Sequence, residues 1–268
     1  MKFYRKILIE LAKRAGEEIL KYYQKDFVTK YKSDNSPVTI ADILANNIIV
    51  TELNKTGLKI ISEESSQIKY DERKDLTEYW LVDPLDGTKQ FVKGENEFTV
   101  NIALIRKNKP VEGVVYAPAL KKLYYGNIKE GAFLYDFNGK EVSMKSLPSI
   151  KTEGLSMIVS KSHLNEKTAN VVSKIKSEIL DVNVCSVGSS LKFCRIAEGS
   201  YDIYPRIGTI SEWDIGAGNA VLSSAGGWVK DINTGNEIVY NSYDLRTPDF
   251  IAYLDEDKYD LIEKIVSA

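Results

Sequence analysis

Apolar positions along this chain recur with two different periods, and the period changes from segment to segment. From Tyr4 to Tyr23, Ile7, Leu8, Leu11, Ala15 and Ile19 share one face with Lys and Glu opposite, which predicts a core-facing helix. Leu44, Ile48, Ile49 and Leu53 predict a second helix, and Thr39-x-x-Asp42 before them fits an N-terminal capping box. Between the two, Ser33-Asp34-Asn35-Ser36-Pro37 reads as a loop able to move. Shorter apolar runs then take over: Lys59 to Ser62, Tyr79 to Val82 and Phe98 to Ile105 read as strands. Gly113 to Tyr116 and Leu123 to Tyr125 continue them as a meander, with Gly126-Asn127 as a turn. The charged stretch Ser66 to Glu78 reads as a solvated excursion.

Polar residues Asp136 to Glu153 separate this first half from a second in which strand and helix signals alternate. Leu155 to Ser160, Val182 to Val187, Tyr201 to Tyr204 and Phe250 to Leu254 are predicted strands. Glu166 to Leu180, Ser189 to Glu198 and Asp214 to Ala225 are predicted helices, with a last one from about Lys258. Gly199 and Gly226-Gly227 supply the helix stops. The expected organisation is one unit in two parts, residues 1–140 and 150–268.

Composition narrows the possible activities. A formal net charge of -2 gives no basic field for nucleic acid, and no apolar run approaches the roughly 18 residues of a membrane span. Glu10, Lys13 and Arg14 interrupt the apolar start too early for a signal peptide, so the chain reads as cytoplasmic with reduced thiols. Cys185 and Cys194 are too far apart for a CxxC site, and His163 is the one histidine, which argues against zinc. No Gly-x-Ser-x-Gly elbow is present. Any chemistry rests mainly on carboxylates.

Those carboxylates fall at the ends of predicted elements. Tyr79-Trp80-Leu81-Val82 runs into Asp83-Pro84-Leu85-Asp86-Gly87-Thr88, so two acids three positions apart can converge where the chain turns. Without a cation such a pair repels, and a hard dication such as Mg2+ removes the conflict; the plainer reading is two solvated aspartates. Amides of Gly87 and Thr88 after the turn can receive a phosphate. Glu63 and Glu64 close another strand, and alternation turns one inward and the other away. Asp214 opens a helix rich in Gly and Ala, where it can serve simply as an N-cap. Small residues there also allow close approach to a neighbouring backbone.

Taken together, Glu63-Glu64-Ser65, Asp83-Pro84-Leu85-Asp86-Gly87-Thr88 and Trp213-Asp214-x-x-Ala217-Gly218 resemble the signatures of the Mg2+-dependent, lithium-sensitive phosphomonoesterases. That superfamily includes inositol monophosphatase and fructose-1,6-bisphosphatase. Thr88-Lys89-Gln90-Phe91, Gly94-Glu95-x-x-Phe98-Thr99-Val100-Asn101 and Gly188-Ser189-Ser190-Leu191-Lys192-Phe193-Cys194 look more narrowly like the bacterial 3'(2'),5'-bisphosphate nucleotidases. One departure is Gly208-Thr209-Ile210-Ser211-Glu212, where that family usually carries Gly-Pro-Thr, which bears on the substrate wall.

The resemblance implies an α+β fold, a layered αβαβα sandwich with the site between its sheets. It implies Glu64, Asp83, Asp86, Asp214 and the main-chain oxygen of Leu85 as ligands of two or three Mg2+ ions. Asp42 and Thr88 are implied as the pair that activates water. Glu64, Leu85, Asp86, Gly87, Thr88, Ser160, His163, Ser190, Lys192, Tyr204, Arg206 and Asp214 are implied around the substrate. Of these, Lys192, opening a helix after Gly188-Ser189-Ser190, is expected to hold a second phosphate, against the plainer reading of a solvated lysine behind a serine cap. The implied reaction is removal of the 3'-phosphate of adenosine 3',5'-bisphosphate, giving AMP. Inositol or sugar phosphates are the alternative substrates, and a non-catalytic nucleotide-binding module is the alternative class. A monomer or homodimer acting on a small molecule, without nucleic acid or membrane span, completes the expectation.

Overall fold

The computed structural model describes residues 4–25, 30–31, 37–136, 138–146, 154–162 and 165–267. The expected loop over Ser33 to Ser36 lies outside them, as does His163. In chain order the elements are α1 (Arg5–Leu20), β1 (Lys30–Tyr31), β2 (Pro37–Val38), α2 (Ile40–Leu53), β3 (Lys59–Ser62), α3 (Tyr70–Arg73), β4 (Glu78–Asp86), α4 (Thr88–Val92), β5 (Thr99–Arg106), β6 (Lys109–Ala117), β7 (Lys122–Asn127), β8 (Gly131–Tyr135) and β9 (Glu141–Ser143). After them come β10 (Leu155–Ser160), α5 (Glu166–Glu178), β11 (Val182–Val187), α6 (Leu191–Ala197), β12 (Ile203–Arg206), α7 (Glu212–Ala225), β13 (Trp228–Asp231), β14 (Phe250–Tyr253) and α8 (Glu256–Ser267).

Side-chain alternation along β4 explains the layering. Trp80 and Val82 point into a core shared with Leu8, Leu11, Ala15 and Ile19 of α1 and Ala45, Ile49 and Leu53 of α2. Tyr79 and Leu81, on the opposite face, join a second core with Phe193 and Ile196 of α6 and Ile215, Ala217 and Val221 of α7. Strands β3 to β9 form one seven-stranded sheet in sequential order, parallel at β3–β4 and antiparallel thereafter. A five-stranded sheet, ordered β11-β10-β12-β14-β13, covers the far side of α6 and α7. Its outer face packs on α5 and α8 through Ile175, Tyr259 and Ile262. The result is an αβαβα sandwich in which α7 is the shared middle layer.

Where observed elements differ from the sequence reading, packing gives the reason. Gly126-Asn127 lies within β7, paired with β6 and β8, and the glycine serves packing: a side chain at Gly126 would come within 2.5 Å of the Val221 Cα of α7. Helix α7 begins two residues earlier than expected, with Ser211 as N-cap and Asp214 as the reciprocal partner of a capping box. The charged stretch 66–78 is not merely solvated: it contains α3, whose Arg73 is buried against the segment Asn241 to Tyr243. The polar boundary contributes β9, an edge strand on β8, while residues 147–153 lie outside the described ones. Among the described residues no helix is long and apolar enough to cross a membrane.

Candidate active site

Asp83 and Glu63 meet because β3 and β4 run parallel with Ser62 opposite Val82. The ladder continues one step further, with the Glu63 amide donating to the Val82 carbonyl at 3.1 Å, so Glu63 stands level with Asp83. Two carboxyl groups so placed repel unless a proton or a cation stands between them. Burial, then the charges of Glu63, Asp86 and Asp214, hold the Asp83 carboxyl well above the usual range. The expectation set Glu64 here; the register sets Glu63. Glu63 lines the cavity described below and Glu64 does not, although the charge of Glu64 acts on Asp42.

On a regular strand two residues three apart face opposite ways. A register shift between Asp83 and Asp86, at Pro84-Leu85, lets both acids turn to the same side. Asp86 Oδ2 accepts from the Ser190 amide at 2.6 Å and from Asn101 Nδ2 at 3.3 Å. Burial raises its pKa, and the positive charge of Lys192 opposes that rise. Asp214 Oδ2 accepts from the Ser211 amide at 2.9 Å. Its carboxyl is pushed well above the usual range by burial, Asp86 and Glu63 in that order. Among the described residues no three acid, histidine or cysteine side chains already converge in the geometry of a filled metal shell. The oxygens rest on protein donors instead.

Gly87, with φ +88, turns the chain from β4 into α4, and a side chain there would come within 2.9 Å of the Glu97 carbonyl. Gly87 lines the cavity described below, and its amide helps to hold the charge of Asp86. Thr88 follows, its Oγ1 3.2 Å from Asp42 Oδ1 and 3.0 Å from the Leu85 carbonyl oxygen. The other oxygen of Asp42 closes the cap of α2, accepting from the Thr39 amide at 2.7 Å and the Thr39 hydroxyl at 2.6 Å. Burial, partly offset by the Thr39 contacts, pushes the Asp42 carboxyl up to about 6. The capping role and the Thr88 contact therefore coexist on one side chain.

These groups border a cavity of about 390 Å³ between the two sheets. Ser160, Lys192, Tyr204 and Arg206 line it from the second half. Ser190 does not: it is buried, its amide holds Asp86 and its hydroxyl donates to Asn101 Oδ1 at 2.7 Å. The neighbouring Ser189, at φ +49, lines the cavity in its place. Lys192 folds back over the turn before α6, donating to the carbonyls of Val187 and Ser189, 5.3 Å from the centre of the Tyr204 ring. Burial lowers its pKa to about 8 against the pull of Asp86. Its charge acts on Asp86 at the acidic end of the cavity.

Sequence reasoning missed several lining residues. Glu63 was legible once β3 was read as parallel to β4, since register then selects between the two glutamates. Trp213 and Ile210 stand in the departure region before Asp214. Gln90 and Ser162 close one wall by a hydrogen bond between the two halves, and Arg246 reaches the cavity from a loop that carried no local signal.

Comparison with known proteins agrees with this fold. The model of the inositol monophosphatase family matches residues 1–267. The 3'(2'),5'-bisphosphate nucleotidase CysQ of Buchnera aphidicola subsp. Acyrthosiphon pisum is 43% identical over 236 residues, covering 85% of this chain and 84% of that protein. CysQ of Salmonella typhimurium is 40% identical, covering 83% and 88% respectively. Among solved structures, CysQ from Bacteroides thetaiotaomicron superposes with a TM-score of 0.82 at 36% identity, covering 93% of this chain and 96% of that one. An IMPase/NADP phosphatase complexed with Mg2+ and phosphate shares the fold, with a TM-score of 0.78 at 22% identity over 98% and 95% of the two chains.

Proposed function

The chain belongs to the inositol monophosphatase family, and on that premise we propose that it is a 3'(2'),5'-bisphosphate nucleotidase acting on adenosine 3',5'-bisphosphate. It is a phosphomonoesterase that removes the 3'-phosphate and leaves AMP. The observation that carries the substrate is the 40–43% identity, over most of the chain, to proteins bearing that name. The chemistry is supported by the buried acids beside the Asp42–Thr88 pair.

The residues present fit Mg2+. Asp83 and Asp214 are held protonated-prone by burial and by neighbouring carboxylates, a conflict that a hard dication relieves. Glu63, Asp83, Asp86, Asp214 and the Leu85 carbonyl would hold it, with donors enough for two or three ions. When bound, Mg2+ supplies charge that neutralises the phosphoryl oxygens and makes a water more acidic. Thr88 has one hydroxyl hydrogen and two acceptors within reach. When that hydrogen goes to Asp42 Oδ1, the Thr88 oxygen keeps lone pairs to accept from the attacking water. Asp42, with a pKa near 6, then takes the proton at Oδ1. Lys192 and Arg206 sit in the field of Asp86 and Asp214, where they face the phosphate being cleaved. No histidine or covalent intermediate is needed.

The test is phosphate release under Mg2+ from adenosine 3',5'-bisphosphate, with adenosine 3'-phosphate and inositol 1-phosphate as competitors. Preference for the bisphosphate supports the reading. Preference for inositol 1-phosphate replaces it with a sugar phosphatase on the same chemistry.

A further inference from the structure

The segment from Asn241 to Thr247 is held more firmly than an ordinary surface loop. Glu212, buried in the first turn of α7, accepts from the amides of Asn241 and Ser242, each at 2.8 Å. Its own amide donates to the Leu245 carbonyl at 2.8 Å. From the other side, buried Arg73 donates to Asn241 Oδ1 at 2.7 Å, to the Ser242 carbonyl at 2.8 Å and to the Tyr243 carbonyl at 2.7 Å. Asn241 Nδ2 returns a bond to the Arg73 carbonyl at 2.7 Å. Asn241 and Leu245 hold φ values of +70 and +58, a region that Asn enters readily but Leu keeps only where the surroundings impose it.

What this clamp delivers to the cavity is Arg246. Its side chain is exposed yet lines the same space as the carboxylates, and Nη1 donates to Ser211 Oγ at 3.1 Å. Lys192 and Arg206 already act on Asp86 and Asp214. Arg246 comes in on the solvent side of Ser211, and its planar fork of N–H donors matches a phosphate. We propose that Arg246 is a specificity-determining residue that grips the nucleotide phosphate that is not cleaved, and that Arg73 is the positioning residue that presents it. This rests on the nucleotidase reading above.

The experiment compares adenosine 3',5'-bisphosphate with adenosine 3'-phosphate, which carry the same cleaved group and differ by the 5'-phosphate. The ratio of their kcat/KM values is measured for the unmutated enzyme, Arg246→Ala, Arg246→Lys and Arg73→Lys at one ionic strength. Loss of a charge-assisted contact predicts a fall of the ratio by roughly 10- to 150-fold in Arg246→Ala, carried mainly by KM for the bisphosphate. Arg246→Lys should recover part of it, and Arg73→Lys should lower the ratio while Arg246 is intact. An unchanged ratio in Arg246→Ala, with the unmutated enzyme active on the bisphosphate, overturns the proposal alone. No release from the bisphosphate by the unmutated enzyme overturns the nucleotidase reading and this proposal with it. Because Arg246 is exposed, its variants are expected to fold, so the decision stands even if Arg73→Lys does not.

Discussion

Thr88 and Asp42, 46 positions apart in sequence, meet with 3.2 Å between Oγ1 and Oδ1, while Oδ2 of the same aspartate closes the cap of α2. The contact separates chemistry from stability at the level of individual atoms. In Asp42→Asn, an amide oxygen can still accept from Thr39, but the side chain can no longer take a proton. Turnover should fall by about 10²–10⁴-fold, while the melting temperature at neutral pH should hold or rise, since the amide buries no charge. Thr88→Ala should match it. Near-normal turnover with early melting in Asp42→Asn would reduce this residue to a cap.

Metal-linked stability distinguishes the two glutamates. Mg2+ that binds only the folded chain at about 100 times its dissociation constant should add roughly 2.7 kcal/mol. Glu63, level with Asp83, should matter more than Glu64. Thermal denaturation with and without Mg2+ should show most of the gain lost in Glu63→Gln and most retained in Glu64→Gln. The reverse order would return the ligand to Glu64.

The pH dependence of the metal-free protein has a definite sign. Asp42 is raised from 3.8 to about 6, so between those values the folded chain holds a proton that the unfolded chain releases. Its contribution is fully present below about pH 4 and is lost as pH rises through 6, by about 3 kcal/mol for two units. Asp83 and Asp214 are raised in the same direction. Chelator-treated protein should therefore melt progressively earlier from pH 4 upward, with a smaller slope in Asp42→Asn. A melting temperature that climbs over this range would contradict the repelling acids.

The seat of α7 on the first sheet can be probed at Gly126. A Cβ there meets the Val221 Cα at 2.5 Å and the Ala220 carbonyl at 2.7 Å, both backbone atoms with little freedom to yield. Gly126→Ala should cost roughly 1–3 kcal/mol in urea unfolding. Since α7 also carries Asp214, the Mg2+-dependent gain should shrink with it. Unaltered stability would mean that α7 docks less closely than described.

Much of this was legible from residues alone, because each signal was local. Thr39-x-x-Asp42 marked the cap of α2, and Asp83-Pro84-Leu85-Asp86-Gly87-Thr88 marked the turn where β4 delivers its acids. Periodicity placed most strands of both sheets. What escaped depended on partners distant in sequence. Glu63, not Glu64, stands beside Asp83 because of the parallel register with β4, and Gly126 is a glycine for the close approach of α7 and not for a turn. Ser190 looked like a phosphate cap, but Asp86 takes its amide. That Lys192 folds back onto the Val187 and Ser189 carbonyls, near Asp86, depends on the turn before α6. Arg73, in a stretch that reads as solvated, proved buried against a loop some 170 residues later.

The most direct measurement is inorganic phosphate release by the purified chain from adenosine 3',5'-bisphosphate and from inositol 1-phosphate, each with Mg2+ and with chelator. Mg2+-dependent release from the bisphosphate, with AMP as the other product and a higher kcat/KM than for inositol 1-phosphate, is the predicted result. Release that persists in chelator, or that favours inositol 1-phosphate, would contradict a metal-dependent bisphosphate nucleotidase.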